Sequence, residues 1–228
     1  MHAIGVLAFG LSVAAFAPSV PGAGSAPAPK RNVLLVVVDD LGVDALGLYG
    51  GNGAPPTPRI DELASRGVVF RNAFANPMCS PTRAQIQTGR HGFRTGIGGL
   101  VNEATGALPT SEVVLPEMLD LGTGGAYAHA AFGKWHLGNA SVGGLLSPNV
   151  AGYDHFSGTL HGLFAPNSYD LWTRIEDGVE SPVAQYATSA VVDAAIDWIA
   201  ARTDPWLAYV ALHAPHKPYH VPPSHLHS

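Results

Sequence analysis

Six consecutive aliphatic residues, Val33 to Val38, are followed at once by two carboxylates, Asp39 and Asp40, in the run RNVLLVVVDD at 31–40. An unbroken β-branched and leucine run without polar alternation predicts a strand buried on both faces, the habit of a parallel sheet. In such sheets ligands sit outside the carboxyl ends of the strands, so the two aspartates stand where chemistry is expected. Adjacent like charges there need a compensating cation, and a hard divalent ion such as calcium, or magnesium in its place, binds carboxylate oxygens. Taken alone, an Asp pair also suits an exposed turn into Leu41-Gly42.

The rest of the chain supports a layered architecture. Thr57-Pro58-Arg59-Ile60-Asp61-Glu62-Leu63-Ala64-Ser65-Arg66-Gly67 has an N-cap threonine, proline at the first helical position and a closing glycine, and predicts a short helix. Val68 to Phe74 then reads as a strand. Leu115-Pro116-Glu117 opens a helical segment, followed by a strand-like run at Ala126 to Phe132. A helix over Ala187 to Ala201 sets Val191, Val192, Ala195, Ile196 and Ile199 at helical spacing, with Asp193 and Asp197 opposite, and leads into a strand at Trp206 to Leu212. Alternating strands and helices predict an α/β/α fold with a largely parallel central sheet. Residues 139–186, rich in Gly, Ser, Asn and Tyr, read as loops bordering a pocket.

Charge narrows the partners. The net charge of −5, with lysine only at 30, 134 and 217, gives nucleic acid and anionic membrane surfaces no basic footprint. Any anion is therefore held by a few placed cations or a metal. Residues 3–17 have the length of a signal-peptide core and are too short to span a bilayer comfortably; a Pro/Gly/Ala/Ser tract follows at 18–29. The expectation is a leader over 1–29, one catalytic region over 30–228, a secreted or periplasmic location and no membrane association after signal removal. The single cysteine, Cys79, excludes an internal disulfide framework and leaves a buried or a reactive thiol.

The setting of that cysteine is Asn76-Pro77-Met78-Cys79-Ser80-Pro81-Thr82-Arg83. A proline that can start a helix places the thiol near free backbone N–H groups and the positive end of the helix dipole. Arg83, one turn on, can return its guanidinium to the same pocket. A buried structural thiol beside a solvated arginine fits the same residues.

Cys79-Ser80-Pro81-Thr82-Arg83 resembles the C-x-P-x-R signature of the type I sulfatases, enzymes of the alkaline phosphatase superfamily. Two further strings resemble that family in the same order: Gly133-Lys134-Trp135-His136-Leu137-Gly138, and His213-Ala214-Pro215-His216-Lys217-Pro218. The resemblance implies an alkaline phosphatase-like fold and hydrolysis of sulfate esters of small molecules or glycans. It implies that a formylglycine-generating enzyme converts Cys79 to an aldehyde, formylglycine, whose hydrate is the nucleophile. Asp39, Asp40 and residue 79 would hold calcium, Arg83 the surroundings of the nucleophile, and Lys134 the sulfate. His136 would hydrogen-bond the hydrate, and His216 would lie near the leaving-group oxygen, with His213 as its rival. Lys217, His220, His225 and His227 read as surface residues. The family continues with an Asp-Asn pair, another lysine and a carboxy-terminal subdomain that these 228 residues do not reach. Without them weak metal binding and exposed sheet edges are the expectation, and a non-catalytic sulfatase-like protein is one alternative to the hydrolase. A phosphonate or phosphodiester hydrolase of the same superfamily is the other alternative.

Overall fold

The computed structural model describes residues 31–226, and the leader expected over 1–29 lies outside them. Among the described residues six strands form one sheet, in the order β1-β6-β2-β3-β4-β5. They are β1 (Val33–Asp39), β2 (Ala128–Lys134), β3 (His155–Thr159), β4 (Trp172–Glu176), β5 (Val179–Val183) and β6 (Trp206–Pro215). The helices are α1 (Pro58–Ser65), α2 (Cys79–Thr88), α3 (Gly92–Thr95), α4 (Leu115–Thr123), α5 (Ser147–Val150) and α6 (Ala187–Ala200). β1, β6, β2 and β3 run parallel, β4 turns back antiparallel on β3, and β5 pairs antiparallel with β4. The last strand, β6, is inserted between the first two, so three loops far apart in sequence meet at adjacent carboxyl ends.

Strand alternation divides the core in two. Ala131, Leu207, Tyr209 and Ala211 face one way, where Ala84 and Ile86 of α2 and Leu115 and Leu119 of α4 pack on them. Ala130, Phe132, Ala208 and Val210 face the other way, onto Ala190, Val191 and Ala195 of α6. Helices on both faces of a mostly parallel sheet give the expected α/β/α layering and an alkaline phosphatase-like fold.

Four details differ from the sequence reading. β1 is an edge strand rather than one buried on both faces. Leu35 and Val37 pack inward, but Leu34 is 55% and Val36 49% exposed, while α6 packs chiefly on β6 and β2. Residues 68–74 form no strand, because no neighbouring strand pairs with them; Phe74 is 86% exposed. On α6, Val191 and Ala195 are buried whereas Val192 and Ile196 are exposed, so the covered stripe is narrower than the apolar one. Residues 139–186, read as loops, contain α5, β3, β4 and β5. Asp177 joins part of that region: its carboxylate accepts from Phe156 N (2.7 Å) and Asn149 Nδ2 (2.9 Å), and contacts His155 Nδ1 (2.8 Å).

Candidate active site

The register of the sheet builds the site. β1 pairs with β6 residue for residue up to Val38 and Leu212; a shift then sets Asp39 opposite Pro215, so the aspartate lies beside the turn carrying His216. On the other flank of β6, Gly133 has a φ of +85°, and a Cβ there would lie 2.1 Å from the carbonyl oxygen of Ala211. Only glycine allows that approach. Past it, the chain alternates: Trp135 and Leu137 enter the core, and Lys134 and His136 are buried among polar neighbours.

Cys79 is the first residue of α2, so its sulfur stands at the positive end of that helix. Its thiol donates to Asp39 Oδ1 at 3.3 Å, and Lys134 Nζ lies 3.6 Å from the sulfur. The ammonium also donates to Asp39 Oδ2 at 2.5 Å. Arg83, only 1% exposed, donates through one terminal nitrogen to the Lys134 carbonyl at 2.5 Å, and its other terminal nitrogen lies 3.5 Å from Asp39 Oδ2. Two buried cations thus surround one buried carboxylate and one thiol. Breaking such a set leaves an uncompensated buried charge, and this constrains all its members.

Burial alone would raise the Asp39 carboxyl, but Arg83 and Lys134 outweigh it and hold the group below its ordinary range. The Cys79 thiol is pushed up, first by burial and also by Asp39, with Lys134 opposing. His136 is lowered to about 3 by burial together with Lys134 and Arg83, so it is neutral at physiological pH. Its Nδ1 is buried with no partner, at a φ of +59°.

Asp40, also at positive φ (58°), is exposed at the rim of a cleft of about 180 Å³ that includes Asp39, Cys79 and Arg83. Its Oδ2 lies 3.6 Å from His216 Nε2. One ligand atom each from Asp39, Cys79 and His216 lies within 4.8 Å of the other two, a grouping able to hold a metal ion. The carboxylates suit a hard cation, and an oxygen at position 79 would extend that set; a sulfur there does not suit calcium.

The structure therefore brings Asp39, Asp40, Cys79, Arg83, Lys134 and His216 together, with His136 alongside. His213 is fully enclosed and bonded to Thr159 Oγ1 at 2.8 Å. Lys217 is exposed, as read from the sequence. His220, read as a surface residue, is instead stacked on Tyr169 with ring centroids 3.8 Å apart and meets Tyr186 Oη at 2.9 Å, because its ring caps an aromatic pair. Sequence reasoning also missed His161, whose ring meets that of His136 at 5.7 Å, and Tyr169, whose hydroxyl donates to the His216 carbonyl at 2.6 Å. Nothing in the sequence pointed to either, since β3, whose end places His161, lies in the region read as loops.

This site and fold match one family. Residues 31–228 fit the family model described as Sulfatase, and the chain belongs to that family. Human N-acetylgalactosamine-6-sulfatase is 33% identical over 227 residues, 88% of this chain and 42% of that protein. Mouse steryl-sulfatase is 40% identical over 147 residues, 60% of this chain and 23% of that protein. Among solved structures, Ps i-CgsB in complex with k-i-k-neocarrahexaose superposes with a TM-score of 0.70 at 28% identity, covering 83% of this chain and 46% of that one. A protein solved with its substrate D-glucosamine-2-N,6-O-disulfate gives 0.70 at 28%, covering 86% and 37%. The chain spans less than half the length of each of these relatives.

Proposed function

We propose that this chain is the catalytic amino-terminal region of an exported sulfuric ester hydrolase that uses formylglycine at position 79 and calcium. The observation that carries the reading is the placement of residue 79 at a helix N-terminus beside the buried Lys134 and Arg83. Asp39, Asp40 and an oxygen on residue 79 would hold the ion. The converted residue would supply two hydroxyls on one carbon as nucleophile and base, and the ion would supply positive charge against the sulfate oxygens.

The chain's own side chains do the rest. Lys134 is a compact cation whose ammonium lies within reach of both residue 79 and Asp39, where it can meet a sulfate oxygen. Arg83, bonded to the Lys134 carbonyl, fixes that strand end and supplies a second positive charge without touching solvent. His136, held neutral chiefly by burial and then by Lys134 and Arg83, and with an unpartnered Nδ1, can hydrogen-bond a hydroxyl of residue 79. His216, beside Asp40, would serve the leaving-group oxygen. One similar solved protein is in complex with k-i-k-neocarrahexaose and another with D-glucosamine-2-N,6-O-disulfate, which favours a sulfated glycan as substrate here.

The test is sulfate release by the full-length protein, co-expressed with a formylglycine-generating enzyme, from an aryl sulfate and from sulfated saccharides, with a phosphodiester as comparison. Cys79→Ala is expected to lower turnover of sulfate by about a thousandfold or more. Unchanged activity in that variant, or preference for the phosphodiester, would overturn the reading.

A further inference from the structure

We infer that, while residue 79 is still a cysteine, this site holds a zinc ion between Asp39, Cys79 and His216. The inference concerns the chain before conversion, and so stands apart from the hydrolase reading. The three donors come from three elements: the end of β1, the first turn of α2 and the turn after β6. Their ligand atoms already lie within 4.8 Å of one another, with the sulfur 3.3 Å from Asp39 Oδ1. Zinc takes four mixed ligands at about 2.0–2.3 Å from carboxylate oxygen, imidazole nitrogen and thiolate sulfur. Calcium wants 6–8 oxygens, so the thiol form presents the wrong donors for it and the right ones for a softer ion.

The histidine is prepared for such a role. His216 Nδ1 lies 2.7 Å from the Lys217 carbonyl oxygen, which can only accept. Nδ1 therefore donates, and in the neutral ring this leaves the lone pair of Nε2 for a metal. A zinc-binding imidazole commonly has this second hydrogen bond to a carbonyl. Tyr169, itself stacked on His220, bonds the His216 carbonyl and holds the turn in place. On Asp39 the labour is divided: Lys134 and Arg83 engage Oδ2, whereas Oδ1 faces the sulfur. Asp40 Oδ2, 3.6 Å from His216 Nε2, or a water completes four ligands. Binding breaks the S–H bond and forms a zinc–sulfur bond; one proton leaves to solvent per ion, with no change of oxidation state. Zinc also covers the sulfur that conversion needs.

The experiment uses the unconverted protein, made without a formylglycine-generating enzyme, stripped of metal and kept reduced. Cobalt(II), then zinc, is titrated in. The expected result is one equivalent of cobalt with a near-ultraviolet sulfur-to-metal charge-transfer band that zinc bleaches, and alkylation of Cys79 by iodoacetamide slowed about tenfold or more by zinc. Cys79→Ala should abolish the band, and His216→Ala should weaken zinc about tenfold or more. A His225→Ala/His227→Ala variant should bind as before, which separates the site from the tail histidines. Circular dichroism reports folding of each variant, with Cys79→Ser and His216→Gln as substitutes. Absence of the band in the unmutated chain, or equal zinc affinity in Cys79→Ala, overturns the inference. Because turnover is not read, a protein that hydrolyses sulfate esters after conversion but gives no cobalt band defeats the zinc site alone.

Discussion

The carboxyl end of β1, where it meets those of β6 and β2, and the outer flank of the same strand are neighbours, yet their chemistry is opposite. At the end of the strand Asp39, Lys134 and Arg83 are buried charges that compensate each other at 2.5–3.5 Å. Along its flank Leu34 and Val36 are exposed apolar side chains, and Phe70 and Phe74 are exposed too. The first region depends on every member being present. The second has little in this chain to lose.

The comparison predicts unequal responses to mutation. The largest belongs to Asp39→Asn, which leaves Lys134 and Arg83 buried without their counter-charge; thermal or denaturant unfolding should show a loss of about 3–5 kcal/mol. A loss within about 0.5 kcal/mol would mean the cluster is hydrated and not a closed set.

A second, smaller effect comes from pH. His136 and His213 have folded-state values of about 3 against an ordinary 6.5, His213 chiefly through burial. Each binds its proton more readily unfolded, so its contribution is intact above about 6.5 and is lost as pH falls from there towards 3. Asp39, lowered below its ordinary value, loses its contribution only further down, as pH drops through its folded value. The melting temperature should thus fall between pH 7.5 and 5, and His213→Gln, which keeps a donor for Thr159, should flatten that slope. An unchanged slope would assign it elsewhere.

The smallest effect is expected on the flank. Leu34→Ser with Phe74→Ser should shift stability by about 0.5 kcal/mol or less per site while reducing self-association measured by light scattering. A large loss of stability would show that the flank is covered in solution.

Much of the fold was legible because β1, α1, α6 and β6 carry long, unambiguous apolar periodicity or capping signals. β3, β4 and β5 were not legible. Each is 5 residues long, and β3 contains Gly158, a residue read as loop that is required because a Cβ there would meet the Gly133 carbonyl oxygen at 1.9 Å. Residues 68–74 misled in the other direction, since apolar content predicts a strand only when a partner edge exists. Within the site, the charged residues stood in recognisable strings, but the geometry joining them did not. The β1–β6 register shift that brings Asp39 to His216, and the Tyr169 hydroxyl that holds His216, are tertiary facts without a local sequence mark.

The most direct measurement is the mass of the tryptic peptide 72–83 from preparations whose sulfate release has been assayed. The account predicts a lighter, aldehyde-bearing peptide whose fraction rises in proportion to activity. A preparation that releases sulfate at full rate while this peptide is entirely thiol would contradict it.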